Sequence, residues 1–328
     1  MKLSILDQSP ISSNQTAEEA LNESMLLAQA GERLGYERFW MTEHHDLPGL
    51  ASAAPEVMLG YIGAKTNTIR LGTGTILLPH YKPYKVAEVH NQLATLFPDR
   101  IDLGIGRAPG GSAEVTNALN DNFLQNVYKM PDLVKELLHY LDRQDPKVSA
   151  SPLPDVPPTP WMLGTSEKSA LLAGENGVNY VFGQFMSDAD GPASTRKYLD
   201  AFTPRKQGQT PQVIVTISAV CAETTAKAED IALSSLIWQL QRDKGEGEEG
   251  IPSIQTARDY PLTDKEKERF ADMKQQMIIG DPQEVKAQIK EMQKTYHADE
   301  IMIMTTTYDP DDRVRSYELI GRELSLTI

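Results

Sequence analysis

Two stretches of this chain carry residue types that can do chemistry at the end of a strand. Gly104-Ile105-Gly106-Arg107-Ala108-Pro109-Gly110-Gly111 ends a strand-like run in glycines and one guanidinium. Glycine lets backbone come close to a ligand, and arginine grips an anion through a planar fork of donors. Thr42-Glu43-His44-His45 follows a second such run. A histidine there can act as acid, base or hydrogen-bond donor to a bound ring, because its pKa lies near working pH. Paired histidines can also ligate a metal, but that needs a third ligand at matching spacing, and no such set is clear. One of the pair also fits a satisfied structural histidine, with Glu43 placed to orient its neighbours.

Two further segments fall at strand ends. In Thr73-Gly74-Thr75-Ile76-Leu77-Leu78-Pro79-His80, a glycine inside a strand marks a bulge or a close backbone approach, against which a flat ligand can lie. Leu163-Gly164-Thr165-Ser166-Glu167-Lys168-Ser169 runs into a helix. Its small hydroxyl residues read equally as an ordinary N-cap or as a phosphate site at the positive end of the helix dipole. Arg107 on the adjoining strand end strengthens the anion reading. The glycines of 104–111 do not make a dinucleotide fingerprint, since Pro109 interrupts them and no helix starts at the required place.

Something must hold these segments at one end of a scaffold, and the pattern of the chain supplies it. Strand-like runs occur at Lys2 to Leu6, Arg38 to Thr42, Ile69 to Leu77, Arg100 to Gly104, Pro160 to Leu163, Tyr180 to Phe182, Gln212 to Ala219 and Glu300 to Met304. Helical periodicity falls between them: Ala17 to Leu34, Pro55 to Lys65, Pro83 to Leu96, Met130 to Leu141, Lys168 to Glu175, Ala193 to Ala201, Thr225 to Leu240 and Pro282 to Thr295, with Arg313 to Leu324 after the last strand. Eight strands alternating with helices predict an α/β fold, a (β/α)8 TIM barrel with insertion loops, as one domain over 1–328. Active sites of such barrels lie where the four segments above fall, at the carboxyl ends of strands. Two segments break the alternation. Asp142 to Pro160 reads as an extended, proline-rich connection. Arg242 to Asp264 is polar, Gly/Glu-rich and helix-poor, and reads either as a mobile lid or as a solvated excursion.

Composition narrows the function. The 328 residues are 40% hydrophobic and 24% charged, as in a globular protein. The net charge of −14 argues against a nucleic-acid partner, which would need basic surface, so an anionic ligand must be held by local geometry. No apolar run approaches the roughly 20 residues of a membrane span, and the N-terminus lacks a secretory signal; no membrane association is expected, and the cytoplasm is the expected compartment. The single Cys221 excludes an internal disulfide and sits in an apolar run, where it reads as a small buried hydrophobe.

Taken together, Leu3 to Pro10, Trp40 to His45, Ala53-Ala54-Pro55-Glu56-Val57, Gly72 to Pro79, Phe97 to Gly110, Leu163 to Ser166, Ile279 to Pro282 and Arg315 to Leu319 resemble the bacterial luciferase-like flavin-dependent monooxygenases. The likeness covers nearly the whole chain. It implies a barrel that takes reduced FMN from a separate flavin reductase and uses it with molecular oxygen, acting on paired donors, to oxygenate a small organic substrate, as alkanal monooxygenases do. It implies that Thr73 and Gly74 form a bulge against the isoalloxazine ring and that His44 is the catalytic residue near its reactive edge. Arg107 and the turn of Gly164, Thr165, Ser166 and Ser169 would take the FMN phosphate. A homo-oligomer is the expected assembly. The same likeness covers relatives that use a deazaflavin as hydride carrier, and non-catalytic flavin-binding subunits.

Overall fold

Short apolar runs become parallel strands when each crossover between them carries a helix that covers the sheet. The computed structural model describes residues 1–145 and 147–326. Among these the strands are β1 (Lys2–Asp7), β2 (Arg38–Met41), β3 (Arg70–Leu77), β4 (Ile101–Gly106), β5 (Thr159–Gly164), β6 (Asn179–Gly183), β7 (Val213–Cys221), β8 (Ile278–Gly280) and β9 (Glu300–Met304). Strands β1 to β7 and β9 pair in parallel around a closed ring, with β6 joined to β7 and β9 lying between β7 and β1. This is the expected eight-stranded barrel. The short β8 lies outside the ring and pairs only with Ala219 to Cys221 of β7. Three residues carry no period to read, so the sequence pattern did not reveal it.

The helices are α1 (Ala17–Arg33), α2 (Pro55–Gly63), α3 (Pro83–Leu96), α4 (Ala113–Leu119), α5 (Phe123–Tyr128), α6 (Met130–Leu141), α7 (Glu167–Glu175), α8 (Gly191–Ala201), α9 (Thr225–Asp243), α10 (Ile254–Arg258), α11 (Asp264–Gln276), α12 (Pro282–Tyr296) and α13 (Pro310–Glu323). Sequence periodicity missed α4, α5, α10 and α11. The first three span at most two turns, and α11 buries only Met273, so its apolar face is too narrow to show a period. The connection from 142 to 158 is irregular at each described position, with Pro146 outside the described residues.

The expectation that Arg242 to Asp264 is helix-poor, as a lid or as a solvated excursion, is corrected on two counts. Arg242 and Asp243 complete the last turn of α9, and residues 254–258 are helical. The intervening stretch is also pinned to the loop after β1: Ile251 donates to the Ile11 carbonyl at 2.9 Å, and Ser13 donates to Ile251 at 2.9 Å. Ile251 itself is fully buried. Its neighbour Gly250 has a φ of +81°, and a Cβ there would lie 2.3 Å from the Ile11 carbonyl oxygen, so this close crossing needs glycine.

Alternate residues of each strand face opposite ways. One set, including Leu3, Phe39, Leu71, Leu103 and Val215, packs into the large cluster shared with the helices. The other set, Leu6, Trp40, Trp161, Val181, Ile214 and Met302, fills the barrel interior. Trp40 and Trp161 meet edge to face with centroids 5.8 Å apart. The glycines of β3 and β4 make room for them: a Cβ on Gly72 would lie 2.2 Å from Trp40 Nε1.

An ion cluster closes the amino-terminal end of the barrel. Arg38 reaches Glu300 with Nε at 2.8 Å and Nη2 at 2.9 Å, and donates from Nη1 to Asp102 at 2.7 Å. Asp102 also accepts from Arg70 at 2.7 Å and from Trp40 Nε1 at 3.1 Å.

Candidate active site

The carboxyl ends of β1 to β5 surround a cavity of about 350 Å³. It is lined by His44 after β2, Gly74 and Thr75 on β3, Arg107 after β4, and Gly164, Thr165, Ser166 and Ser169 at the β5–α7 junction. Of the residues expected to touch the flavin or its phosphate, only Thr73 lies apart from it. Thr73 is fully buried, its hydroxyl donating to the Gly104 carbonyl at 3.0 Å and accepting from the Gly104 amide at 3.1 Å. It thus clamps the place where the β3–β4 register shifts between Thr73 and Ile76. That bulge turns Thr75, not Thr73, towards the cavity. The reason is the extra residue, which changes the face to which each following side chain points.

Glycine is required where the strands crowd at this bulge. A Cβ on Gly104 would sit 2.0 Å from the Thr73 carbonyl oxygen, and one on Gly74 would sit 2.6 Å from Leu6 Cδ1.

Ser166 is the N-cap of α7, and its side chain and that of Ser169 form a reciprocal capping box. Gly164 has no side chain to collide with this cap, since a Cβ there would lie 2.3 Å from Ser169 Oγ. Arg107 reaches across from the end of β4 and donates to Ser166 Oγ at 3.2 Å. Among the described residues no carboxylate lies within salt-bridge distance of Arg107. The turn is thus an N-cap, and the exposed Arg107 guanidinium stands beside the positive end of the same helix.

The histidine pair divides its work. His45 Nε2 lies 2.8 Å from Glu43 Oε1, the same oxygen that accepts from Tyr81 at 2.6 Å, while Leu77 N donates to Oε2 at 2.9 Å. His45 is the structural member. His44 faces the cavity, with Nδ1 2.9 Å from Thr42 Oγ1. Among the described residues no hydrogen bond occupies its Nε2. Burial, with the positive charge of Arg242 and His45 nearby, lowers its pKa to about 4, so the ring is neutral at neutral pH. The glycine-rich loop after β4 fixes this turn from below, since His45 N donates to the Gly110 carbonyl at 2.8 Å. The two motifs that stood out in the sequence are thus one hydrogen-bonded unit.

A second lobe of about 370 Å³ opens beside the first, sharing Gln8, Phe185 and Met186 with it. Its walls come from β7, β9, the turn after β6, and helices α9 and α11. Sequence reasoning missed these residues. They follow no motif, and one wall is the polar helix whose existence the pattern did not show.

The sequence model of the luciferase-like monooxygenases matches residues 1–298. The chain belongs to the luciferase-like monooxygenase family. It is 42% identical to the uncharacterized protein YwcH of Bacillus subtilis, covering 98% of each chain. It is 33% identical to the N-acetyl-S-alkylcysteine monooxygenase of the same organism, over 98% of this chain and 97% of that one. Among solved structures, apo-MsnO8 superposes with a TM-score of 0.91 at 33% identity, covering 99% of this chain and 98% of that chain. Solved structures that share only the fold, at 14–18% identity and TM-scores of 0.63–0.72, include one in complex with FMN and two that depend on F420. The fold alone therefore does not choose the flavin. Among the described residues, no group of three or more His, Cys, Asp or Glu side chains is placed to hold a metal ion, and no helix is long and apolar enough to cross a membrane. Cys221 is buried in the core, its thiol pushed up to about 12 chiefly by burial.

Proposed function

We propose that this member of the family is a flavin-dependent monooxygenase of the cytoplasm that binds reduced FMN in the first lobe and oxygenates a small organic substrate held in the second. The observation that carries the reading is the pairing, in one cavity, of an anion corner at Arg107 and Ser166 with a neutral, singly hydrogen-bonded His44. The residues fit the group. Arg107 and the start of α7 suit a terminal phosphate, and the side-chain-free backbone of Gly74 suits a flat ring. When bound, the flavin supplies the activation of oxygen that the protein's own side chains lack. The protein positions and shields. Thr42 fixes the His44 ring through Nδ1, which leaves Nε2 to hydrogen-bond at the edge of a bound ring, and the neutral imidazole brings no standing charge into the lobe. Leu6, Leu77 and Leu163 along the same walls exclude water.

Reduced flavin from a separate reductase and assembly as a homo-oligomer belong to the same proposal; exposed Leu26, Val57 and Tyr61 on α1 and α2 support the second point. The presence of both His44 and Arg107 argues against an inert flavin-binding subunit. Titration with FMN and FAD, each oxidised and reduced, tests the reading. FMN should bind at least about 10-fold more tightly, because one charge-assisted contact to a terminal phosphate is worth that much. Equal or tighter FAD binding would overturn it. A preference for a deazaflavin, read by absorbance, would replace oxygen chemistry with hydride transfer.

A further inference from the structure

Arginines on a protein of net charge −14 are expected to find carboxylates, and most of those at this barrel do. Arg242 does not. It lies in the last turn of α9, half-buried, with its guanidinium carbon 4.7 Å from the centroid of the Trp238 ring. Stacking and the negative end of the helix account for its stem and position. Neither supplies an acceptor for its planar fork of N–H groups. Among the described residues no carboxylate lies within 4 Å of it and no side-chain or backbone oxygen accepts from it.

The acids that line the same lobe are occupied. Asp243 lies 3.6 Å from Arg269 Nε, and Asp188 accepts from Gln276. Around this cation the lobe is mixed: Phe185, Trp238, Met273, Met277 and Met304 give it apolar walls beside the polar Ser218, Ser235, Gln239 and Arg269. Burial lowers the Arg242 pKa, with only Asp243 acting against it, which agrees with a guanidinium desolvated without a partner. The lobe that Arg242 lines shares Gln8, Phe185 and Met186 with the first lobe, so a group bound to it lies beside the His44 cavity.

We infer that the second lobe selects a monoanionic organic substrate, with Arg242 binding its carboxylate and the methionine and aromatic walls holding its apolar arm. This gives the substrate class of the oxygenase reading and rests on that reading for the fate of the ligand. The recognition itself can be measured without turnover. A bidentate contact with the planar carboxylate would complete the fork that the protein leaves open. An unionised amide of the same shape would leave the half-buried guanidinium without a counter-charge.

The test uses N-acetyl-S-butylcysteine and its methyl amide as probes, titrated by calorimetry into the whole protein with and without FMN. The wild-type protein should prefer the acid by about 10-fold or more. Arg242→Gln should bring the two probes to within about twofold of each other, and Arg242→Lys should keep part of the preference, because it retains charge but not the fork. FMN affinity and the far-ultraviolet circular dichroism should be the same in all three proteins. The inference is overturned if the wild-type protein binds acid and amide equally or binds neither. It is also overturned if the preference survives Arg242→Gln, or if Arg242→Gln weakens FMN as much as the acid, which would assign the residue to the flavin. Failure of the flavin reading looks different: FMN is not selected over FAD, while the dependence of the acid preference on Arg242 persists.

Discussion

At the amino-terminal end of the barrel, Arg38 is enclosed by Asp102, Glu300 and the face of Trp161, 4.8 Å from its guanidinium carbon. At the carboxyl end, among the described residues, Arg107 has a single serine hydroxyl and Arg242 only the face of Trp238. Burial pulls the Arg38 guanidinium down, yet Asp102 and Glu300 more than offset this and hold it above its ordinary value. At Arg242 the balance runs the other way. The same residue type serves the fold where its hydrogen-bonding capacity is filled from within, and is available to a ligand where it is not. Buried charges that are fully paired tie strands together; a cation left open at a cavity is one whose partner comes from outside.

The largest effect expected from this contrast is on stability. Arg38→Met should destabilise the protein by about 3–5 kcal/mol, since it removes the cation that holds buried Glu300 and leaves Asp102 with Arg70 alone. Chemical denaturation reads this directly, and FMN affinity, corrected for the unfolded fraction, should not change. A cost below about 1 kcal/mol would show that the closed end is no more committed to the fold than the open one.

Arg107→Ala should do the reverse, with little change in stability and about 10- to 150-fold weaker FMN binding, the range of one charge-assisted hydrogen bond. Riboflavin, which lacks the phosphate, is the control. If both flavins lose affinity equally, Arg107 belongs with Arg38 as a structural residue.

The smallest effect sharpens the contrast through pH. His44 has its pKa lowered to about 4, so between that value and the ordinary 6.5 the unfolded chain binds a proton that the folded one does not. Its contribution to stability is therefore complete above about pH 6.5 and is lost as the pH falls towards 4. The slope per proton is at most about 1.4 kcal/mol per pH unit. Buried His90, also lowered to about 4, adds a slope of the same sign. Comparing wild-type and His44→Gln denaturation midpoints from pH 7 to pH 4 removes the His90 part. The wild-type protein should lose stability more steeply, and parallel curves would mean that His44 titrates as if it faced water.

The eight strands of the barrel, the long helices between them and the helix cap beside Arg107 were legible in the residues because each depends on local chemistry. Apolar runs of strand length, a helix cap at Ser166 and glycines at crowded crossings all act within a few residues of chain. Where the signal was weak, the reading failed for physical reasons. Strand β8 is too short to show a period, and α11 announces itself only by the Thr263 to Glu266 capping box, since the rest of the helix is polar. The stretch from Gly245 to Gly250 looked free because its composition is polar. The next residue, Ile251, is held by backbone hydrogen bonds, donating to Ile11 and accepting from Ser13, which composition cannot show.

By itself, the sequence determined the alternation that closes a parallel barrel, and the residue types gathered at its carboxyl end. Only the tertiary structure decided how those residues divide. It put Thr75 rather than Thr73 on the cavity, because a bulge reverses the facing of side chains beyond it. It gave His45 to Glu43 and left His44 Nε2 open, because Glu43 is held by Leu77 and Tyr81 from another strand and turn. It set Arg242 apart from the other arginines, because whether a charge is paired depends on which groups the fold brings within a few ångströms, however distant they are along the chain.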